Sequence, residues 1–167
     1  MKADDREIIF EEVRTGSSDR FLAREDVDVA LKGLFGRTLL HEAIAFERQD
    51  IAEALLGRGA PVDAEDQNGQ TPLHYAGTYS NRSVAAQLLA QGSDPNRQDI
   101  FGNTPLWSAA LARDPDYALI RLLVEKGADP AHVNKAGRSV LDFARQADDK
   151  ELWACCTGSE DGFDEEV

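Results

Sequence analysis

One segment of the chain begins like a catalytic motif. It reads His41-Glu42-Ala43-Ile44-Ala45. A zinc-protease helix needs a second histidine one turn after the first, so that two imidazoles lie on one face and hold the metal. Position 45 is alanine. The second ligand is therefore missing, and we predict no metal site here.

The other reactive side chains also lack the partners that catalysis needs. Cys155 and Cys156 are adjacent; neighbouring cysteines rarely bridge each other, and two alone cannot build a zinc site, so we expect reduced thiols. Gly57-Arg58-Gly59 has the character of a helix end, not of a phosphate-binding loop. No serine or cysteine stands in a sequence context typical of an activated nucleophile. We predict no catalytic residue, no cofactor and no enzymatic activity.

Two short phrases recur along the chain at a nearly constant spacing. The first is Gly-Gln-Thr-Pro-Leu-His-Tyr-Ala from Gly69, repeated as Gly-Asn-Thr-Pro-Leu-Trp-Ser-Ala from Gly102, with looser copies from Gly36 and Gly137. The second phrase, Leu-Leu followed by a glycine, keeps step with it at 55–59, 88–92 and 122–127. A period near 33 residues is typical of stacked supersecondary units.

The phrases predict a pair of helices in each unit. Thr71 can cap a helix by accepting from a backbone N–H, and Pro72 suits the first helical position. Leu73 and Ala76 then share one buried face. A second helix follows and ends at Gly92. We expect Leu88 and Leu122 to be buried between units.

These phrases resemble the signature of the ankyrin-repeat family over most of the chain. The resemblance implies an all-α repeat fold, an ankyrin solenoid of helix-turn-helix units with projecting hairpin loops. It also implies that His41 and His74 bond locally to the backbone and hold the turn. We expect a single ankyrin-repeat domain at 1–152, with an N-terminal capping unit at 7–30 and repeats at 31–63, 64–96, 97–131 and 132–152.

The acidic charge is concentrated at the end of the chain. Net charge is −13, and residues 148–167 contain eight acidic residues and one basic residue. We predict that 153–167 is an acidic, disordered tail, which either keeps the protein soluble or steers it towards a basic partner. The repeats are only mildly acidic, which argues against binding to nucleic acid.

The composition also limits the environment. No stretch approaches 18 consecutive apolar residues, so we predict no membrane span. The charged N-terminal sequence predicts no secretory signal, and the cytoplasm is the expected compartment. We expect the protein to be monomeric when it has no partner.

In the ankyrin family, partners usually contact the hairpin tips and the exposed side of each first helix. Matching this sequence to the family pattern gives thirteen candidate partner-binding residues: Leu34, Phe35, Arg37, Phe46, Gln67, Asn68, Gln70, Tyr79, Ile100, Phe101, Asn103, Trp107 and Leu111. Four further positions could extend this surface: Glu42, Tyr75, Ser108 and Phe143. Arg48 and Glu53 are expected to lie outside it and to tolerate substitution.

Two placements remain open at this point. Phe35 and Phe101 either project as anchors or fold back onto the neighbouring hairpin, since both precede a turn glycine. Trp107 stands where other units have histidine, and it either packs between units or presents its indole to a ligand.

The expected function is binding to a folded protein. One hypothesis is a small cytosolic inhibitor or immunity protein that masks a cognate protein such as a toxin or nuclease, whose surface could be basic. The alternative is an adaptor or regulatory subunit of an enzyme complex, with a kinase-inhibitor-like or scaffold role.

Overall fold

The computed structural model describes residues 3–159 and 161–163. The described residues form ten α-helices and no β-strand. The helices are α1 (Ala3–Thr15), α2 (Ser18–Leu22), α3 (Leu39–Ala45), α4 (Gln49–Gly57), α5 (Pro72–Thr78), α6 (Arg82–Ala90), α7 (Pro105–Ala110), α8 (Tyr117–Glu125), α9 (Val140–Gln146) and α10 (Lys150–Thr157). A short 3-10 helix spans Leu34–Gly36.

The helices stack as two layers. Helices α3, α5, α7 and α9 pack on one another in sequence order, and α4, α6, α8 and α10 do the same in the second layer. Within each unit the first helix packs on the second, and α1 and α2 pack on α3 and α4 at the N-terminal end. The predicted all-α solenoid is therefore confirmed, with four helix pairs behind an N-terminal pair.

Hydroxyl residues stand at the N-cap position of all four first helices, which is the position that the sequence predicts for Thr71. The side-chain oxygens of Thr38, Thr104 and Ser139 accept from backbone N–H groups in the first turns of α3, α7 and α9. Asp116 and Asp149 do the same for α8 and α10. Each cap accepts from a backbone N–H group that has no partner inside the helix, so these polar residues stabilise the helix starts.

Gly77 has a packing role that the repeat phrases do not reveal. A Cβ at this position of α5 would lie 2.8 Å from the carbonyl oxygen of Pro105 and 3.0 Å from the backbone nitrogen of Ala109. Both atoms belong to the backbone of α7. Glycine therefore lets these two helices approach more closely than any residue with a side chain would allow.

The predicted burial of Leu122 is wrong, whereas that of Leu88 is confirmed. Leu88 is fully buried in α6, but Leu122 is half-exposed and the adjacent Leu123 is fully buried. Leu88 stands four residues before the glycine that ends its unit, and Leu123 stands four residues before Gly127. The buried position is therefore the one four residues before the unit-ending glycine. In the third unit the Leu-Leu pair begins five residues before that glycine, so its second leucine is the buried one.

The predicted end of the domain at residue 152 is also wrong. Helix α10 continues to Thr157, and Trp153, Cys155 and Cys156 are buried. Beyond the helix, Phe163 is only 8% exposed and packs against Trp153. Acidic composition suggested disorder for 153–167, but α10 continues through this part and buried aromatic residues hold 161–163 against it. Residues 160 and 164–167 lie outside the described residues.

Arg48 differs from the expectation that it tolerates substitution. Its guanidinium donates to the backbone carbonyls of Val13 and Gly16, at 3.1 and 2.8 Å, and to the hydroxyl of Ser18 at 2.8 Å. These three bonds connect α1 and α2 to the first full unit. The side chain therefore holds the N-terminal capping unit in place.

Candidate protein-binding surface

Large apolar side chains are exposed in a restricted part of the molecule. Nine are exposed among the described residues, and all but Ile8 lie at hairpin tips or at the ends of first helices. We call these eight the hairpin face: Leu34, Phe35, Phe46, Tyr79, Ile100, Phe101, Leu111 and Val133. Seven of them are among the predicted partner-binding residues. The eighth, Val133, lies at the hairpin-tip position that the repeat gives for the fourth unit, but it is not among the predicted partner-binding residues.

The hairpin tips are joined to one another by backbone hydrogen bonds. The N–H of Gln67 donates to the carbonyl of Phe35 at 2.8 Å, that of Ile100 donates to Asn68 at 2.8 Å, and that of Lys135 donates to Phe101 at 3.0 Å. Each bond crosses from one unit to the preceding one. The tips therefore form a continuous row, which presents its side chains on a fixed support.

Each inner hairpin is also fixed by its own polar side chain. In the third unit, one carboxylate oxygen of Asp99 accepts from the N–H groups of Phe101 and Asn103, at 2.8 and 2.9 Å. Asp66 makes the same pair of bonds in the second unit. Because these bonds already fix the turn around Phe101, little further backbone entropy is lost when the ring contacts a partner.

The first hairpin has a different construction. Gly33 occupies the position of Asp66 and Asp99, and a Cβ there would lie 2.8 Å from the ring of Phe10 in α1. Packing of the capping helix therefore excludes the carboxylate. Phe35 adopts a left-handed backbone conformation with φ of 58°, and its side chain is 64% exposed. A bulky residue in this conformation costs about 1–3 kcal/mol.

The exposure of Phe35 and Phe101 answers the first open question. Phe101 is 59% exposed, so neither ring folds into the core. Trp107 answers the second, because it is half-buried and contacts Phe143 of the next unit edge to face, with ring centroids 6.2 Å apart. The indole thus packs between the third and fourth units.

The two histidines of the repeat phrase make structural bonds, as the resemblance implies. Nδ1 of His41 accepts from the backbone N–H of Thr38 at 3.1 Å, and its Nε2 lies 3.1 Å from the carbonyl oxygen of Gln70 in the next unit. His74 repeats this arrangement with Thr71 and Asn103. Burial lowers the pKa of His41 to about 4 and also lowers the pKa of His74, so both imidazoles are neutral near pH 7.

The polar candidates divide by exposure. Gln67 and Asn68 are exposed at the second hairpin tip, whereas Arg37, Gln70 and Asn103 are half-buried. The guanidinium of Arg37 lies over the ring of Tyr75, 5.4 Å from the centroid. Arg37 is therefore partly committed to contacts within the protein.

The four positions expected to extend the surface do not all do so. Ser108 and Phe143 are half-buried, but Glu42 and Tyr75 are buried. The carboxylate of Glu42 pairs with Arg14 of α1 at 3.1 Å, and the hydroxyl of Tyr75 donates to Asp66 at 3.0 Å. The capping helix and the neighbouring hairpin cover these side chains, so the expectation is wrong for both.

Comparison with protein families decides the identity of the repeats. A family model described as ankyrin repeats (3 copies) matches residues 16–99 and 78–156. The chain belongs to the ankyrin-repeat family. Ankyrin repeats are protein–protein interaction modules. No curated protein matches the chain in sequence.

Two other kinds of site were sought in the described part of the chain. Residues 3–159 and 161–163 include no group of three or more His, Cys, Asp or Glu side chains placed to hold a metal ion. Within the same ranges, no helix is both long enough and apolar enough to span a bilayer. The hairpin face of this ankyrin-repeat protein is therefore the candidate functional surface.

Proposed function

We propose that this protein acts by binding a folded protein through the hairpin face, and not by catalysing a reaction. The observation that carries the proposal is the concentration of exposed apolar side chains, eight of the nine large ones in the described residues, at hairpin tips and first-helix ends. Contiguous exposed apolar surface is typical of interaction sites, and buried aromatic side chains are the commonest anchors of interfaces.

The extent of the face favours a macromolecular partner. Its residues come from all four repeats, between Leu34 and Val133. Packed helices lie about 8–10 Å apart, so a row across four units extends over roughly 25–30 Å. A small molecule is instead bound in a concave pocket that encloses most of its surface. A folded protein fits a long, fixed row of side chains better.

We infer further that binding masks the partner, as an inhibitor or immunity protein does in the cytoplasm. Net charge of −13 supports a partner with a basic surface, such as a toxin or nuclease, because opposite charge accelerates encounter. The free protein is expected to be monomeric. An adaptor would bind through the same face but leave its partner active, so the partner's own activity in the complex separates the two roles.

The first experiment compares anchor variants in complex formation. Phe101→Ala and Tyr79→Ala are each expected to weaken the complex by about 30-fold or more, because an aromatic hot spot contributes about 2 kcal/mol or more. A partner captured from native lysate by the wild-type protein is measured against each variant by calorimetry. Melting temperatures are measured in parallel and are expected to change little, since both side chains are exposed.

Ile8→Ala is the matched control. Ile8 is 47% exposed, much like Tyr79 at 43%, but it lies on α1 outside the hairpin face. Its substitution is expected to leave affinity unchanged. Normal binding by Phe101→Ala and Tyr79→Ala, together with weakened binding by Ile8→Ala, would place the interface elsewhere and refute the proposal.

A further inference from the structure

The fourth unit holds a later segment of the chain through residues that lie outside the hairpin face. Trp153 of α10 contacts Phe163 edge to face, with ring centroids 5.8 Å apart and planes at 79°. Nζ of Lys150 lies 5.3 Å from the centroid of the Phe163 ring. The guanidinium of Arg145 lies 4.5 Å from the centroid of the Trp153 ring. We call Arg145, Lys150 and Trp153 the C-terminal cradle.

The cradle also donates hydrogen bonds to the backbone of the segment that occupies it. The indole Nε1–H of Trp153 donates to the carbonyl of Asp161 at 3.2 Å. Nη2 of Arg145 donates to the carbonyl of Gly162 at 3.1 Å. Two successive carbonyls and one aromatic ring are thus held by three side chains. These are contacts of a peptide-binding site: backbone bonds fix the register, and a ring fills an apolar position.

The conformation of the bound segment defines what the cradle accepts. Gly162 has a φ of 78°, in the left-handed region that favours glycine. Asp161 precedes it, and Phe163 follows it. Asp161 contributes its backbone carbonyl, Gly162 its carbonyl and its left-handed conformation, and Phe163 its ring. The recognised pattern is therefore a glycine followed by an aromatic residue.

The present occupant does not use every donor of the cradle. Nε of Arg145 is buried and has no acceptor among the described residues. Buried donors normally have partners, and an unpaired one lowers the stability of the docked arrangement.

The geometry points to a peptide-binding site at the C-terminal end of the stack, which takes a Gly-aromatic segment of a partner protein and is occupied in cis by residues 161–163. The cis segment acts as a competitor that the partner segment displaces. Docking in cis benefits from an effective concentration on the order of millimolar, because a few residues join the segment to α10. The segment therefore stays docked in the free protein although its intrinsic affinity is modest.

The test uses the full chain with Phe163→Ala, which removes the ring of the cis segment, and a labelled peptide of sequence Gly-Ser-Glu-Asp-Gly-Phe-Asp-Glu-Glu-Val. Fluorescence anisotropy is expected to show binding to this variant about tenfold tighter than to the wild type, because cis occupancy reduces the fraction of open sites. Should Phe163→Ala fail to fold by circular dichroism, Gly162→Ala replaces it, since the left-handed φ disfavours alanine while Phe163 stays present.

Two controls separate recognition from general charge attraction. The same peptide with alanine in place of phenylalanine has identical charge and is expected to lose binding. Arg145→Gln, combined with Phe163→Ala, is expected to weaken binding by about tenfold, because it removes the bond to the glycine carbonyl and the cation over Trp153. Phe101→Ala should leave peptide binding unchanged, since it lies on the hairpin face.

Two results would overturn the inference. One is the absence of peptide binding to the folded variant up to about 2 mM, the scale of the effective concentration, which would make the segment a structural cap only. The other is equal binding of the peptide and of its alanine version, which would show that charge attraction alone holds them.

Discussion

Replacing Leu123 with alanine is expected to destabilise the protein strongly, whereas the same change at the adjacent Leu122 is expected to have a small effect. Helix α8 packs against α6, α7 and α10, and Leu123 is fully enclosed by this packing. Leu122 is half-exposed and lines an open groove of about 850 Å³ together with Arg121 and Ala118. The two variants remove the same atoms from neighbouring positions, so they test the register of the helix directly.

The expected magnitudes follow from burial. Truncating a fully buried leucine costs about 2–5 kcal/mol, because the transfer free energy is lost and a cavity remains. For a chain of this length, each kcal/mol lowers the melting temperature by about 2–4 °C, so Leu123→Ala should lower it by roughly 4–20 °C. Leu122→Ala should cost about 1 kcal/mol or less, since part of its surface is already in water.

Urea unfolding provides the measurement. Far-ultraviolet circular dichroism reports the helices, and fluorescence reports Trp107 in the third unit and Trp153 in the fourth. Both probes are needed because repeat proteins can lose cooperativity, and two coincident transitions justify a single free energy. Leu88→Ala, at the corresponding position of α6, serves as the reference and should resemble Leu123→Ala.

One outcome would refute the assignment. If Leu122→Ala destabilised the protein as much as Leu123→Ala or more, the buried face of α8 would be wrong, and with it the rule that the core position lies four residues before the unit-ending glycine. A change below about 0.5 kcal/mol in the free energy of unfolding for Leu123→Ala would also show that the buried face of α8 is wrong, because such values are typical of surface positions.

Three further predictions concern stability and reactivity. Arg48→Ala should lose about 2 kcal/mol or more in urea unfolding, because two backbone carbonyls of the capping unit lose their donor, whereas Glu53→Ala should change stability by less than about 0.5 kcal/mol. The pKa of His41 is about 4 in the folded state and near 6.5 when unfolded, so its contribution is complete above pH 6.5 and is lost as the pH falls towards 4, by about 3 kcal/mol. Unfolding at pH 7 and 4.5 measures this loss, and a His41→Gln variant with the same pH dependence would contradict it. Burial raises the pKa of Cys156 to about 12, so a thiol reagent should label Cys156 slowly in the native protein and rapidly in denaturant, as peptide mapping would show.

The hairpin face could be located from sequence because its positions are set by the repeat. Each tip lies one or two residues before a phase-locked glycine. Leu34 and Ile100 are exposed as that position predicts, and Phe35 and Phe101, whose placement the sequence leaves open, are exposed as well. The reason is geometric: every unit repeats the same turn, so one position has the same environment in each. Glu42 breaks this rule because α1 covers it and supplies Arg14, and no repeat phrase describes the capping unit.

The C-terminal cradle could not be located from sequence. Its segment lies in an acidic stretch, and composition favours disorder there. The segment is held by contact with Arg145, Lys150 and Trp153 of the fourth unit. The sequence separations of these contacts do not recur in the other units, so no repeat reveals them. The same limitation hid the role of Arg48, whose three acceptors lie thirty or more residues earlier in the chain.

The sequence by itself determined the family, the number of helix pairs, the capping residues and the positions of the hairpin tips. These properties depend on local conformation and on a period, both of which are written along the chain. Only the tertiary structure decided which leucine of α8 is buried, how Gly77 lets two helices meet, and why Phe35 stands in a strained conformation. Those properties depend on atoms brought together from different units, where a shift of one residue or one missing side chain decides the packing.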